Sequence, residues 1–328
     1  MIKLGKNKDL KKESLIGSLF KFIKKPDYFI SESTDSFWGK LWDMFRLWSL
    51  CVVIAIPISY LIVISLGKFG YDQSQHAVVT LFRESPFFVL LFMVLIWAPT
   101  TEELTFRLGL RFSPYRLSLS AAFLFFVLLS ILHTFNYKTI VILFDKIASY
   151  GPFASIGFFI IMILAISSIL GRYLSKTKIE RSLNIFYVKC FNYIFYTSTF
   201  IFALVHIFNF INIQIVWKLI PLLALPQLVI GFVLAYIRMK YSIAWSVFFH
   251  FLYNSLAAVP ALLLMLIPEE LISALSRGDT SVLNKLSGRE EVVIYFLFVS
   301  PFIILTLVIV SLYSLIREMV KSTDKILF

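Results

Sequence analysis

Glu102 and Glu103 stand side by side in the run Ala98-Pro99-Thr100-Thr101-Glu102-Glu103-Leu104-Thr105-Phe106-Arg107, at the end of a long apolar stretch. A carboxylate at membrane depth costs on the order of 3 kcal/mol to insert, so two in succession need compensation. Glu103 and Arg107 are spaced i, i+4 and can pair on one helix face. Glu102 lies about 100° further round the helix and has no such partner in the sequence. One carboxylate is thereby neutralised, and the other is left to take up a proton, which is what a general base must do. Pro99 is placed to stop or kink the helix, with Thr100 or Thr101 as the cap of the next piece. The plainer alternative is a pair of glutamates at the membrane edge, both touching water.

Histidine is scarce, at 76, 133, 206 and 250. His76 reads as a solvated loop residue, and His133, before Thr134-Phe135-Asn136-Tyr137, as an interfacial one. His206 and His250 fall inside apolar runs. His206 follows Phe202 by one helical turn, and His250 precedes Asn254 by one turn. The second spacing puts an imidazole and a carboxamide on one face, able to approach one substrate atom together. Singly, each histidine is more often a packing residue. Jointly, a carboxylate pair, two intramembrane histidines and an asparagine form a hydrolytic constellation.

Membrane helices must carry these groups. Of the 328 residues, 59% are apolar and only 15% charged. Soluble domains run to about 45–50% and about 25%. A soluble globule, a disordered chain and a disulfide scaffold are thereby excluded. Cys51 and Cys190 lie in or beside apolar runs and indicate no disulfide framework, and no secretory signal peptide is visible in the Lys-rich first 45 residues. About 20 apolar residues cross ~30 Å of hydrocarbon. Eight runs qualify: 46–67, 80–106, 117–135, 153–171, 190–212, 219–237, 242–267 and 292–316. The reading is an all-α, polytopic helix bundle of about eight transmembrane helices. A basic segment, 1–45, precedes the membrane domain 46–316, and a tail, 317–328, follows it.

Lysine and arginine give the expected orientation. With the N-terminal segment inside, 23 of them fall on the inner side and seven on the outer, with Arg83 inside a run. Both termini are therefore expected in the cytoplasm. The net charge of +12 is read as this bias, with no nucleic acid as partner. Residues 1–30 mix lysines with Leu15, Ile16, Leu19, Phe20, Phe22 and Ile23. They read equally as an amphipathic helix on the anionic inner leaflet or as a partly disordered tail. Arg83 and Glu84 are near enough to the outer interface to snorkel and receive no role.

Glu-Glu-x-x-x-Arg, Phe-x-x-x-His and His-x-x-x-Asn, in that order on membrane helices, resemble the CAAX protease and bacteriocin-processing family. That family is also called the abortive-infection family and includes the type II CAAX prenyl endopeptidases. The resemblance covers roughly 95–116 and 195–257. Its context includes Ala98-Pro99 before the glutamates and Leu225-Pro226-Gln227 followed by Gly231. Each motif alone is weak, and three in order are fairly specific. The chain departs in spacing: 98 residues separate Arg107 from His206, where the family commonly uses consecutive spans. The core would then be 80–116 and 190–267, with 117–171 as an inserted hairpin that preserves helix direction. His133 is the alternative at shorter spacing, but Leu129 stands where the motif wants Phe.

The resemblance implies endoproteolysis of a membrane-associated peptide or protein at the lipid bilayer. Glu102 would activate water with help from His206, His250 and Asn254 would stabilise the oxyanion, and Glu103 with Arg107 would support them. Glu102, His206 and His250 are also an acceptable zinc set. A metal-bound and a glutamate-activated water both stay open, the metal-free form being the expectation. The family reading also admits a non-enzymatic bacteriocin-immunity or scaffold protein. Composition and chain length point to a bacterial inner membrane. By residue counting, Glu102 lies nearer the inner face and His206 nearer the outer, a mismatch of several Å that tilt or a broken helix must close.

Overall fold

The computed structural model describes residues 13–68, 86–134, 137–209, 217–268 and 287–327, with scattered residues between 270 and 281. His76, Arg83 and Glu84 lie outside them. Among the described residues the chain is all-helical. The helices are α1 (Leu15–Lys24), α2 (Phe37–Lys68), α3 (Phe87–Phe92), α4 (Ala98–Phe106), α5 (Pro114–Thr134), α6 (Lys138–Ala148), α7 (Pro152–Leu174), α8 (Thr177–Val205), α9 (Ile220–Lys240), α10 (Ile243–Leu264) and α11 (Gly288–Leu327). Seven helical stretches are long and apolar enough to cross a membrane, with α3 and α4 forming one of them. Counting α10, which bends by 45° near residue 257, makes eight. The chain is an integral membrane protein. In lipid the backbone must satisfy itself, which is why apolar runs of this length become helices.

Three elements differ from the sequence reading. The fifth apolar run, expected from 190, belongs to a helix that begins at Thr177, with non-helical backbone at Cys190. The stretch before Cys190 carries Lys178, Glu180, Arg181 and Lys189, residue types that favour helix and need no lipid to form one. Residues 138–148, expected as loop, form α6, whose Ile147 is buried between neighbours. α1 is helical, capped by the Ser14 hydroxyl on the Gly17 amide. Its apolar face meets protein rather than lipid: Leu15, Ile16, Leu19 and Phe22 belong to the main core, with Phe22 edge-on to Phe195 and Tyr236.

α9 lies at the centre, packed against α2, α8 and α10. Its middle turns, from Ile230 to Met239, are almost wholly buried. α2 and α11 pack together, tied by Arg46, which pairs with Asp43 at 3.1 Å and with Glu318. Tyr241 donates to the other oxygen of Asp43 at 2.8 Å, which joins the α9–α10 turn to the same cluster. The hairpin α5–α7 forms a flank of the bundle. Gly171 on α7 permits its close approach: a Cβ there would come within 2.7 Å of the Tyr115 ring.

Candidate active site

The glutamates sit near the end of one helical stretch that contains a π-turn. α3 passes into a π-turn at Met93–Trp97, and α4 then runs from Ala98 to Phe106 with Pro99 in its first turn. The chain does not stop at Pro99: the backbone stays helical through it, and the irregularity is the π-turn just before. Thr101 does not cap, because its hydroxyl donates back to the Trp97 and Ala98 carbonyls at 2.9 and 3.1 Å. Such back-bonding bends helices. The Asn254 amide donates to Val94 O, inside the π-turn, at 3.1 Å. A π-turn misaligns the helical ladder, and this bond satisfies one carbonyl of it.

The other end of α4 stops inside the bundle, where its last carbonyls need partners. Three helices supply them. Ser120 of α5 donates to the Leu104 and Thr105 carbonyls at 2.7 and 2.9 Å and accepts from the Gly109 amide. Ser198 of α8 donates to Phe106 O at 2.5 Å. Arg238 of α9, itself buried, donates to the carbonyls of Arg107 and Leu108 at 3.1 and 3.3 Å. The short helix is thus anchored at both ends, and the hairpin α5–α7 takes part through Ser120.

The Ser198 bond also sets the height of α8 against α4. From that level His206 lies eight residues further along α8, about 12 Å, and Glu102 four residues back along α4, about 6 Å. Side chains close the remainder. Glu102 Oε2 is 3.4 Å from His206 Nε2 and 3.7 Å from His250 Nε2. The counted depth mismatch is therefore absorbed by the packing.

Both rings are fixed at their other nitrogen. α8 ends at Val205, and the His206 Nδ1 reaches the Phe202 carbonyl at 2.8 Å. A carbonyl only accepts, so this nitrogen carries the hydrogen. His250 Nδ1 lies 3.0 Å from Glu103 Oε1 and donates to it. In the neutral form, each Nε2 therefore presents a lone pair toward Glu102. Glu102 Oε2 is buried without a hydrogen-bond partner. Three basic atoms converge there.

The two carboxylates differ in environment. Glu103 is 0% exposed. It accepts from His250 and, at 2.5 Å, from Ser246 Oγ, while Arg107 Nη1 stands 3.6 Å away. The predicted Glu103–Arg107 pair thus forms. The Glu102 side chain is 26% exposed and remains reachable. Arg107, 1% exposed, lies 3.7 Å over the Phe202 ring, and that ring is edge-on to His206 and His250. Gly231 faces this stack: a Cβ would meet Thr199, Phe202 and Arg107 Nη2 at 3.0, 3.2 and 3.3 Å. With both glutamates ionised the buried group carries one negative charge in excess.

Asn254 shares the His250 face as expected, but one amide hydrogen is spent on Val94 O. Its first task is to brace the π-turn. His133 lies apart, stacked at 5.1 Å on Phe144, which removes it as the second-motif histidine. The zinc set Glu102, His206 and His250 is brought together, yet both Nε2 atoms aim at one carboxylate oxygen. Among the described residues no group of three His, Cys, Asp or Glu is arranged to hold a metal ion.

Comparison with family models, curated proteins and solved structures finds no match. The site therefore stands on its own geometry.

Ser246 is the residue that sequence reasoning missed. It sits at i−4 from His250 and completes a stripe with Asn254 on α10 that faces α4 and the π-turn before it. Its removal leaves Glu103 Oε2 without its donor. Hydrogen bonds to charged groups contribute about 1.5–3 kcal/mol. Ser246→Ala is expected to lower thermal stability in detergent by that amount, and Ser246→Thr to restore most of it.

Proposed function

We propose that the protein is an intramembrane endopeptidase of the CAAX protease and bacteriocin-processing type. It hydrolyses a peptide bond of a membrane-associated protein or peptide. The reading rests on the convergence of His206 Nε2 and His250 Nε2 on one buried oxygen of Glu102. We place both termini in the cytoplasm of a bacterial inner membrane. The lysine and arginine bias supports this, as does the docking of α1 at the bundle end that holds Arg238 and Lys240. There Tyr236 Oη donates to Ser18 Oγ at 3.0 Å, and the Ser33 amide to Lys240 O at 2.7 Å.

The chemistry uses protein groups and water. A water at Glu102 gives one proton to the carboxylate, and His206 Nε2 accepts its second hydrogen bond. The water oxygen attacks the peptide carbonyl carbon. Once protonated, His250 Nε2 donates to the oxyanion, while Glu103 holds Nδ1 and balances the charge. Asn254, one turn along the same helix face, has a second amide hydrogen to offer. As the C–N bond breaks, Glu102 returns its proton to the leaving nitrogen. General-base and oxyanion contributions of this kind are each worth about two to four orders of magnitude.

The alternative, a non-enzymatic immunity or scaffold protein, predicts that the same residues are dispensable. Mass spectrometry of new peptide termini in membranes separates the two. Cells producing the native chain are compared with cells producing an equal, inserted amount of Glu102→Ala. Proteolysis predicts termini present only with the native chain. Identical sets of termini would favour the scaffold.

A further inference from the structure

We propose that the outer side of α1 is a binding surface for anionic phospholipid headgroups. The apolar face of α1 is used up inside the bundle, so the helix cannot enter lipid by that face. Its orientation is set by the Tyr236–Ser18 hydrogen bond and by Tyr196, whose hydroxyl donates to Ile23 O at 2.7 Å. What remains outside is basic and aromatic: Lys21, Lys24 and Lys25 are exposed, with Phe20 at 57% and Phe29 at 70%. Phe37 and Trp38, 60% and 74% exposed, open the first spanning helix, whose first buried residue is Met44.

Aromatic side chains in that position belong at the water–lipid boundary, and lysines beside them reach phosphate. The acidic groups nearby do not cancel the charge. Glu13 offers Lys21 a contact of 3.4 Å between largely exposed side chains, and Glu32 is engaged by Arg111 at 2.6 Å. Asp27 accepts from the Phe29 amide, and the three lysines still outnumber Glu13 and Asp27. The rigid docking makes this a fixed patch rather than a diffuse tail, and it is independent of any catalytic role.

The test places a photoreactive benzoyl-phenylalanine at Phe20 of the full chain, in vesicles of equimolar phosphatidylcholine and phosphatidylglycerol. The same probe at Phe302, 70% exposed in the middle of α11, reports lipid contact without a basic patch. At Phe20 the phosphatidylglycerol adducts are expected to exceed the phosphatidylcholine adducts by about fivefold, the effect of one lysine at an anionic surface. Lys21→Gln, Lys24→Gln and Lys25→Gln together should return the ratio to parity, as at Phe302. Parity in the unaltered chain, an unchanged ratio in the triple variant, or adducts only to a second protein molecule would each overturn the proposal.

Discussion

Glu102→Gln is expected to abolish cleavage while leaving the protein as stable as before, or slightly more so. Glutamine keeps the shape of the side chain but cannot take a proton from water. General-base contributions put the loss at about 10²–10⁴-fold. The stability half of the prediction is the sharper one. Two glutamates and one arginine leave an excess negative charge in a site of low dielectric, and removing the Glu102 charge relieves it. The measurement pairs thermal unfolding in detergent with a cleavage assay. A Glu102→Gln protein that unfolds well below the native temperature would mean that Glu102 is a structural partner of the histidines, and the catalytic assignment would lose its support.

Arg107→Met should produce the opposite pattern, a large fall in stability. Arg107 is the cation paired with buried Glu103, at 3.6 Å, and it lies over the Phe202 ring. Removing one member of a buried ion pair costs about 3–5 kcal/mol, because the other charge is left unpaired. Arg107→Lys restores the charge but not the flat face that covers the Phe202 ring, so it should recover only part of the loss. Combining Arg107→Met with Glu103→Gln should recover more, since the pair then leaves together. Thermal unfolding of the four proteins reads the whole series. Additive losses in the double variant would contradict the pairing.

The membrane character, the presence of many long apolar helices and the Glu103–Arg107 pair were legible in the sequence, because each follows from local composition or from helical spacing. The Glu102, His206 and His250 triad was legible as a group, since charged and imidazole side chains are rare in apolar helices. Its geometry was not. The contacts that set it come from Ser120, Ser198 and Arg238, which close the end of α4 from three different helices. A serine in a membrane helix has no sequence signal for its partner, because its hydroxyl bonds its own backbone equally well. Ser246 was missed for the same reason. The π-turn escaped notice because Met93–Trp97 contains no breaking residue, while Pro99 beside it drew the break to itself. Asn254 was read by its spacing from His250, and spacing does not reveal that its amide is engaged by Val94. The docking of α1 on the bundle was hidden too, since an amphipathic helix presents the same pattern to lipid and to protein.

The central claim is that water held at Glu102 cuts a peptide bond. The direct measurement is isotope incorporation. The purified protein is placed in vesicles carrying membrane peptides from its host and incubated in water enriched in oxygen-18, beside the Glu102→Gln protein under the same conditions. New peptide C-termini carrying the heavy oxygen are expected with the native protein, and none above background with the variant. Labelled termini appearing equally with both proteins, or with neither, would contradict it.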